Sequence, residues 1–236
     1  MRWSVRPSAC RGLLFMAMAK DTSPQHTAGA GDAADESPVL PATAQGRRTR
    51  AAIIEAAAAM LYQQGVAATS LDDILAASGT GKSQLYHYFK DKSDLVVAVI
   101  ERQTEIVLQA QPALMQIDSM AGVEHWAQGI LAVHEVPGGP FACPLGTMAA
   151  ELKNDPAYRG PIAAAFQRWQ SLLAEGLIRM QMRGELRPDE DPHRLAAMLI
   201  AALQGGMLLG RVAGDTAVLR ATLEAAVDDI RRRIDA

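Results

Sequence analysis

Between residues 65 and 89 the chain turns on glycines at short intervals, which restricts it to very few arrangements. Gly65 ends a stretch in which Ile53, Ile54, Ala57, Ala58, Leu61 and Tyr62 recur at helical spacing, one amphipathic helix. Thr69-Ser70-Leu71-Asp72-Asp73 then offers a hydroxyl N-cap at Ser70 with a carboxylate three residues on, a capping-box pattern that predicts a second short helix. Ile74, Leu75 and Ala77 supply its apolar content. Ser78-Gly79-Thr80-Gly81 breaks it, since glycine takes a positive φ without a Cβ penalty. A third helix follows over residues 82–89. A brace helix followed by two short helices joined through glycine is the helix-turn-helix plan, whose second short helix enters the major groove of DNA.

The residues of the third helix suit that role. Lys82, Ser83 and Gln84 are hydrogen-bonding side chains at the end where base edges are reached. Leu85 and Phe89, four apart, are expected to face the core. Tyr86, His87, Tyr88 and, past the turn, Lys92 can donate to phosphate oxygens, contacts that fix register rather than sequence.

From Arg50-Ala51-Ala52-Ile53-Ile54 through Gly65, Thr69 to Ile74, Ser78-Gly79 and Leu85-Tyr86-His87-Tyr88-Phe89 to Lys92-Ser93-Asp94-Leu95, the chain resembles the TetR family of transcriptional repressors. The resemblance implies phosphate contacts from Thr49 and Ser70, base reading by Lys82, Ser83 and Gln84, and flanking contacts from Tyr86, His87, Tyr88 and Lys92. For Ser70 and Tyr88, capping and packing stand beside phosphate contact as readings. Thr80-Gly81 departs from the Val-Ser that many members carry there. The reading helix therefore lacks a hydroxyl N-cap and must draw end stability from elsewhere.

The rest of the chain also reads as helix. Aromatics make up only 5% of 236 residues while Ala, Leu and Met abound, so an all-α fold is expected. Helices are predicted over 93–109, 121–134, 144–152, 157–183, 192–212 and 216–234, with Pro144 and Pro192 at first-turn positions and Asp191 as an N-cap. Residues 46–92 form the expected DNA-binding unit and 93–236 a ligand-binding and dimerisation unit. On the last two helices Leu199 and Leu203, and Val218, Leu219, Leu223 and Val227, form apolar stripes. The resemblance implies that these pair with a second copy, although burial within one chain explains such stripes too. A twofold dimer also matches a palindromic operator.

Cys143-Pro144-Leu145-Gly146 and the run from Leu203 to Arg211 resemble one TetR subgroup with a related regulatory half. An effector pocket is expected among these helices. Trp126, His134, Phe141, Cys143 and Met148 are candidate lining from the first part, with Phe166, Trp169, Gln204 and Met207 from the second. As a redox or electrophile sensor, Cys143 would need a depressed thiol pKa, yet no basic residue adjoins it and a buried inert thiol is the commoner case.

Residues 47–92 carry six basic and four acidic side chains and residues 93–236 thirteen and eighteen, a mildly basic head on an acidic body. Residues 1–45 are expected to be a disordered extension, too poor in large apolar groups to offset ordering entropy. Its first 20 residues have the layout of a short export signal, but no secretory feature follows, and Met16 or Met18 are alternative initiators to Met1. Cys10 and Cys143 do not suggest a disulfide, and a cytoplasmic location fits. No apolar stretch is expected to reach the ~18 residues that a bilayer span needs, so an integral membrane protein is not expected. The five histidines lack metal-ligand spacing, and Gly79-Thr80-Gly81-Lys82-Ser83 lacks the upstream glycine of a phosphate loop, so neither metal, cofactor nor enzyme activity is expected. The expected partners are duplex operator DNA, a small-molecule effector and a second copy, with no membrane. The competing reading is a helical small-molecule-binding or catalytic protein whose N-terminal module is only structural.

Overall fold

A computed structural model describes residues 41–136, 139 and 142–234. Among them the regular elements are helices: α1 (Ala44–Gln64), α2 (Leu71–Ser78), α3 (Lys82–Tyr88), α4 (Lys92–Gln109), a 3-10 helix (Pro112–Gln116), α5 (Met120–His134), α6 (Pro144–Leu152), α7 (Pro156–Met182), α8 (Pro192–Ala213) and α9 (Ala217–Arg231). The all-α expectation holds. Residues 1–40, and with them most of the proposed extension, lie outside the described residues.

Helix ends follow local chemistry. Gly65 closes α1 at φ +85°, and Gly79 closes α2 in the left-handed region at φ +65°. Asp155 and Asp191 cap α7 and α8, each followed by proline at the first helical position, where a missing N–H costs nothing. Thr43 Oγ1 accepts from Gly46 N at 3.0 Å, so α1 starts two residues before the predicted Gly46. The 3-10 helix was not foreseen; Pro112 opens it and Leu114 anchors it in the core.

Helices α1, α2 and α3 close over Ile53, Ala57, Ile74, Leu85 and Phe89, all buried. The long α4 leaves this unit and runs into the C-terminal helices, tied to α1 by the Arg102 Nε to Glu55 Oε1 ion pair at 2.7 Å. Arg50 lies over the Phe89 ring, 5.2 Å from its centroid, so α1 also clamps the end of α3. The charged C-terminal edge is closed by Arg233, which pairs with Asp229 and Glu190 beside the bridge between Leu186 and Ile234.

Helices α8 and α9 form the tightest pair. A Cβ on Gly206 would stand 2.7 Å from Leu219 Cα and 2.5 Å from Thr222 Oγ1, so the backbones meet where only glycine fits. The apolar stripes of the two helices are covered within one chain. Leu199, Leu203, Leu219, Leu223 and Val227 are at most 6% exposed in one chain, and Val218 is half-buried. Each buried leucine is worth about 1.5–3 kcal/mol, and that stabilisation is already drawn on by the α8–α9 pairing. The outward face of α8 carries other residues: Ala201, Leu208, Leu209 and Val212, with Leu208 64% and Val212 81% exposed. By length and composition α8 would suffice to cross a bilayer, which corrects the expectation that no stretch is long enough. Its inner face is covered by α7 and α9, as befits a core helix.

Candidate DNA-reading helix and regulatory cleft

The capping box of α2 is complete. Asp73 N donates to Ser70 Oγ at 3.1 Å, and Ser70 N donates to Asp73 Oδ2 at 3.0 Å. The Ser70 hydroxyl donates to the same carboxylate at 2.5 Å, and these bonds hold Asp73 below the usual carboxylate range. At α3 the missing hydroxyl cap is replaced from within. Gln84 Oε1 accepts from Gly81 N at 3.2 Å, so the residue expected to read bases also closes the first turn.

Leu85 and Phe89 point inward as expected, and the opposite face of α3 presents Lys82, Ser83, Gln84, Tyr86 and His87 together to solvent. The remaining proposed contacts are engaged inside the unit. Tyr88 is half-buried, edge-on to His87 at 4.8 Å between ring centroids, with its hydroxyl against Gly46. Thr49 lies in the second turn of α1, where its Oγ1 donates to Gln45 O at 3.1 Å. Lys92 Nζ donates to the Val66 carbonyl at 2.5 Å, bracing the turn after α1. Arg47 and Arg48 are exposed on the end of α1 that meets Tyr88, and the sequence reading treated them only as charge.

In the C-terminal half a cleft enclosing about 580 Å³, part of it open to solvent, lies between α4, α5, the start of α6, α7 and α8. Of the proposed lining, His134, Cys143, Trp169 and Met207 meet there. Trp126 lines an adjoining recess that shares Ala110, Gln111, Gly129 and Ile130 with the cleft. Met148 and Phe166 line neither, because both pack against the helical core. Gln204 lines neither as well, and Phe141 lies outside the described residues. The walls that sequence missed are Ile106 and Val107 of α4, Ala110 and Gln111 just after it, Gly129, Ile130 and Val133 of α5, and Ala142 and Pro144 at the start of α6. Nothing in a single sequence separates such apolar residues from ordinary core.

Gln204 has a different role. Its Oε1 lies where a side chain on Gly146 would begin, 2.5 Å from that Cβ position, which would itself stand 3.5 Å from Cys143 Cβ. The two motifs singled out in the sequence are therefore one interlock between α8 and the first turn of α6. Burial raises the Cys143 thiol above its ordinary pKa. The protonated thiol is the unreactive form, which argues against a sensor. The far end of α6 reaches the N-terminal helical unit, where Glu151 Oε1 accepts from Ala67 N at 2.9 Å. One nine-residue helix thus begins in the cleft wall and ends on the turn between α1 and α2.

Residues 53–99 match the model of the tetR family of bacterial regulatory proteins, and residues 119–225 match the C-terminal domain of LmrA/YxaF-like transcriptional regulators. An uncharacterised HTH-type transcriptional regulator from the lacX 3′ region of Lactococcus lactis is 30% identical over 182 residues, covering 75% of this chain and 91% of its own. The regulator LmrA of Bacillus subtilis is 28% identical over 195 residues, 78% of this chain and 97% of its own. A TetR-family regulator from Cytophaga hutchinsonii shares the fold at a TM-score of 0.70 and 23% identity, covering 83% of this chain and all of that one. A reading helix on a buried Leu-Phe pair, a helical body with an apolar cleft, and likeness along both halves agree, and the chain belongs to the TetR family of helix-turn-helix transcriptional regulators.

Proposed function

We propose that the protein is a cytoplasmic, homodimeric repressor without enzymatic activity, released from a palindromic operator by a small molecule held in the C-terminal cleft. Residues 46–92 act as the reading head and 93–236 as the regulatory unit. The observation that carries this is the exposed polar face of α3, with Lys82, Ser83, Gln84, Tyr86 and His87 held outward by buried Leu85 and Phe89. Lys82 and Ser83 reach base edges, Gln84 does so by releasing its cap on Gly81, and Tyr86 and His87 hold phosphates. Arg47 and Arg48 add sequence-independent attraction to the backbone. The dimer forms through the outward face of α8, whose Leu208, Leu209 and Val212 are too exposed for a lone chain. An effector releases DNA only if it prefers the arrangement that does not fit the operator.

Fluorescence anisotropy on duplexes tiling the DNA upstream of the gene, at two salt concentrations, tests the reading. One tile should bind tightly, and Lys82→Ala should weaken it by about 1–3 kcal/mol if a base contact is lost. Tyr86→Ala should weaken binding alike across sequences. Equal, weak binding to every tile and to unrelated genomic fragments would refute the proposal. Leu208→Glu should yield monomers by size-exclusion chromatography with light scattering, and lose the tight tile.

A further inference from the structure

The two short helices of the N-terminal unit start under different restraint. Ser70 caps α2 with its hydroxyl while Asp73 returns to the Ser70 backbone N–H, so two side chains hold that end. At α3 the corresponding pair is Gly81 and Gln84, and only the second half of the arrangement exists. Gln84 Oε1 accepts from Gly81 N at 3.2 Å, and Gly81 has no side chain to give the return bond. The Thr80 hydroxyl, one residue away, is paired with Ser78 Oγ at 2.7 Å at the end of α2. Gln84 is exposed, so the amide that secures the helix start is also part of the polar face of α3. Its oxygen cannot serve both ends at once. A glutamine reads adenine with amide oxygen and nitrogen together, whereas an amide whose oxygen is engaged offers donors only, which suit the acceptors of guanine or thymine. Reading adenine therefore breaks the cap, other bases leave it intact, and the cost of breaking it falls on the correct sequence alone.

We propose that Gly81 sets how sharply Gln84 distinguishes adenine in the operator, because without a hydroxyl at residue 81 the amide must give up the side-chain cap of α3 in order to read. This rests on α3 being the DNA-reading helix, and it adds one operator base and the position that tunes its recognition. The backbone is already suited to a serine. Gly81 has φ −80° and ψ 152°, beside −95° and 161° at Ser70 and −92° and 151° at Thr43, both of which cap, and a Cβ on Gly81 would meet nothing within 4 Å. In Gly81→Ser the new hydroxyl accepts from Gln84 N, as Ser70 Oγ does from Asp73 N, and the helix start stays closed when the amide turns to DNA.

The full-length parent protein, Gly81→Ser, Gly81→Ala, Gln84→Ala and Gln84→Glu are each equilibrated with a library of random-sequence duplexes, and the bound fraction is sequenced to give the relative affinity for every base at every position. The parent should prefer adenine at one position where Gln84→Ala alone removes the preference. Gly81→Ser should widen the margin of adenine over the other bases at that position by about three- to tenfold, the worth of one helix cap, and leave the other positions unchanged. Gly81→Ala adds no acceptor and should stay within about twofold of the parent. Gln84→Glu keeps an acceptor for Gly81 N but has no donor, so it should move the preference to cytosine, and it serves as the second variant if Gln84→Ala fails to fold. A serine that tightens all sequences alike, guanine or thymine at the Gln84 position in the parent, or Gln84 variants that alter no position would each overturn the proposal while leaving DNA binding intact. A parent protein that selects no sequence would overturn the DNA-reading assignment of α3, and this proposal with it.

Discussion

Replacing Gly206 with alanine probes the closest helix contact in the protein. The added methyl would stand 2.7 Å from Leu219 Cα, whereas carbon atoms rest at about 3.5–4.0 Å, so α8 and α9 must part by roughly 0.8 Å or more. The obstacle is backbone and cannot rotate away. The methyl also strikes Thr222 Oγ1, which donates to Ala202 O at 3.1 Å across the pair. Overpacking of this kind costs about 1–3 kcal/mol. Alanine in a helix interior returns about 1 kcal/mol against glycine. Gly129→Ala isolates that second effect, since its Cβ would meet nothing within 4 Å. The two variants should differ by about 1–3 kcal/mol, and for a chain of this size each kilocalorie moves the melting temperature by about 2–4 °C. Thermal unfolding followed by circular dichroism, at one protein concentration without ligand, should place Gly206→Ala about 2–12 °C below Gly129→Ala. If Gly206→Ala melts at or above Gly129→Ala, the α8–α9 contact is not as close as described.

Three further outcomes are expected. Removing the acceptor in Glu151→Ala should speed amide exchange at Ala67 by at least about threefold, read by hydrogen–deuterium exchange of the turn after α1; unchanged protection would sever α6 from the reading head. Asp73 has a carboxyl pKa lowered in the fold, so its stabilising effect is present above the unfolded value of about 3.9 and is lost as pH falls through the folded value. The melting gap between the parent protein and Asp73→Ala should therefore stay constant above about pH 5 and close below about pH 4, and a gap that grew on acidification would contradict the capping box. Cys143, buried and with its thiol pKa raised, should react with iodoacetamide at least roughly tenfold more slowly in native Cys10→Ser protein than in urea, as mass spectrometry would show; equal rates would restore the sensor reading.

What the sequence disclosed was what short-range chemistry dictates. Ser70 and Asp73 lie three residues apart, and Asp191-Pro192 and Cys143-Pro144 carry their helix starts within two residues, so each was legible directly. The missing hydroxyl before α3 was equally plain. That Gln84 would replace it was not, because the residue types alone do not say whether an amide turns back to its own helix or out to DNA. Lys92 illustrates the limit: its carbonyl partner, Val66, lies 26 residues away, and only the fold brings them together. The stripes on α8 and α9 predicted correctly that Leu199, Leu203 and Leu223 are buried. Periodicity names the buried face but not what buries it, and within one chain the α8–α9 pairing covers those residues. The cleft was half legible for a related reason. Trp169 and Cys143 stand out by type, whereas Ile106 and Ala110 read as ordinary core until the fold sets them on the cleft wall.

The shortness of α6 has a mechanical consequence. Nine residues at 1.5 Å each make a rod of about 13 Å, too short to bend appreciably, so motion at one end must reappear at the other. A tilt of about 10° about its cleft end would carry the Glu151 end sideways by roughly 2 Å over that length. The bond to Ala67, at 2.9 Å, cannot stretch so far, and the turn that starts α2 must either follow or let go. Following would swing α2, and with it α3, out of step with a groove that tolerates little misplacement. Letting go would free the head to rock on α4. Either way a tilt of α6 is felt at the turn ahead of α2, and the size of the displacement there is set by the length of α6.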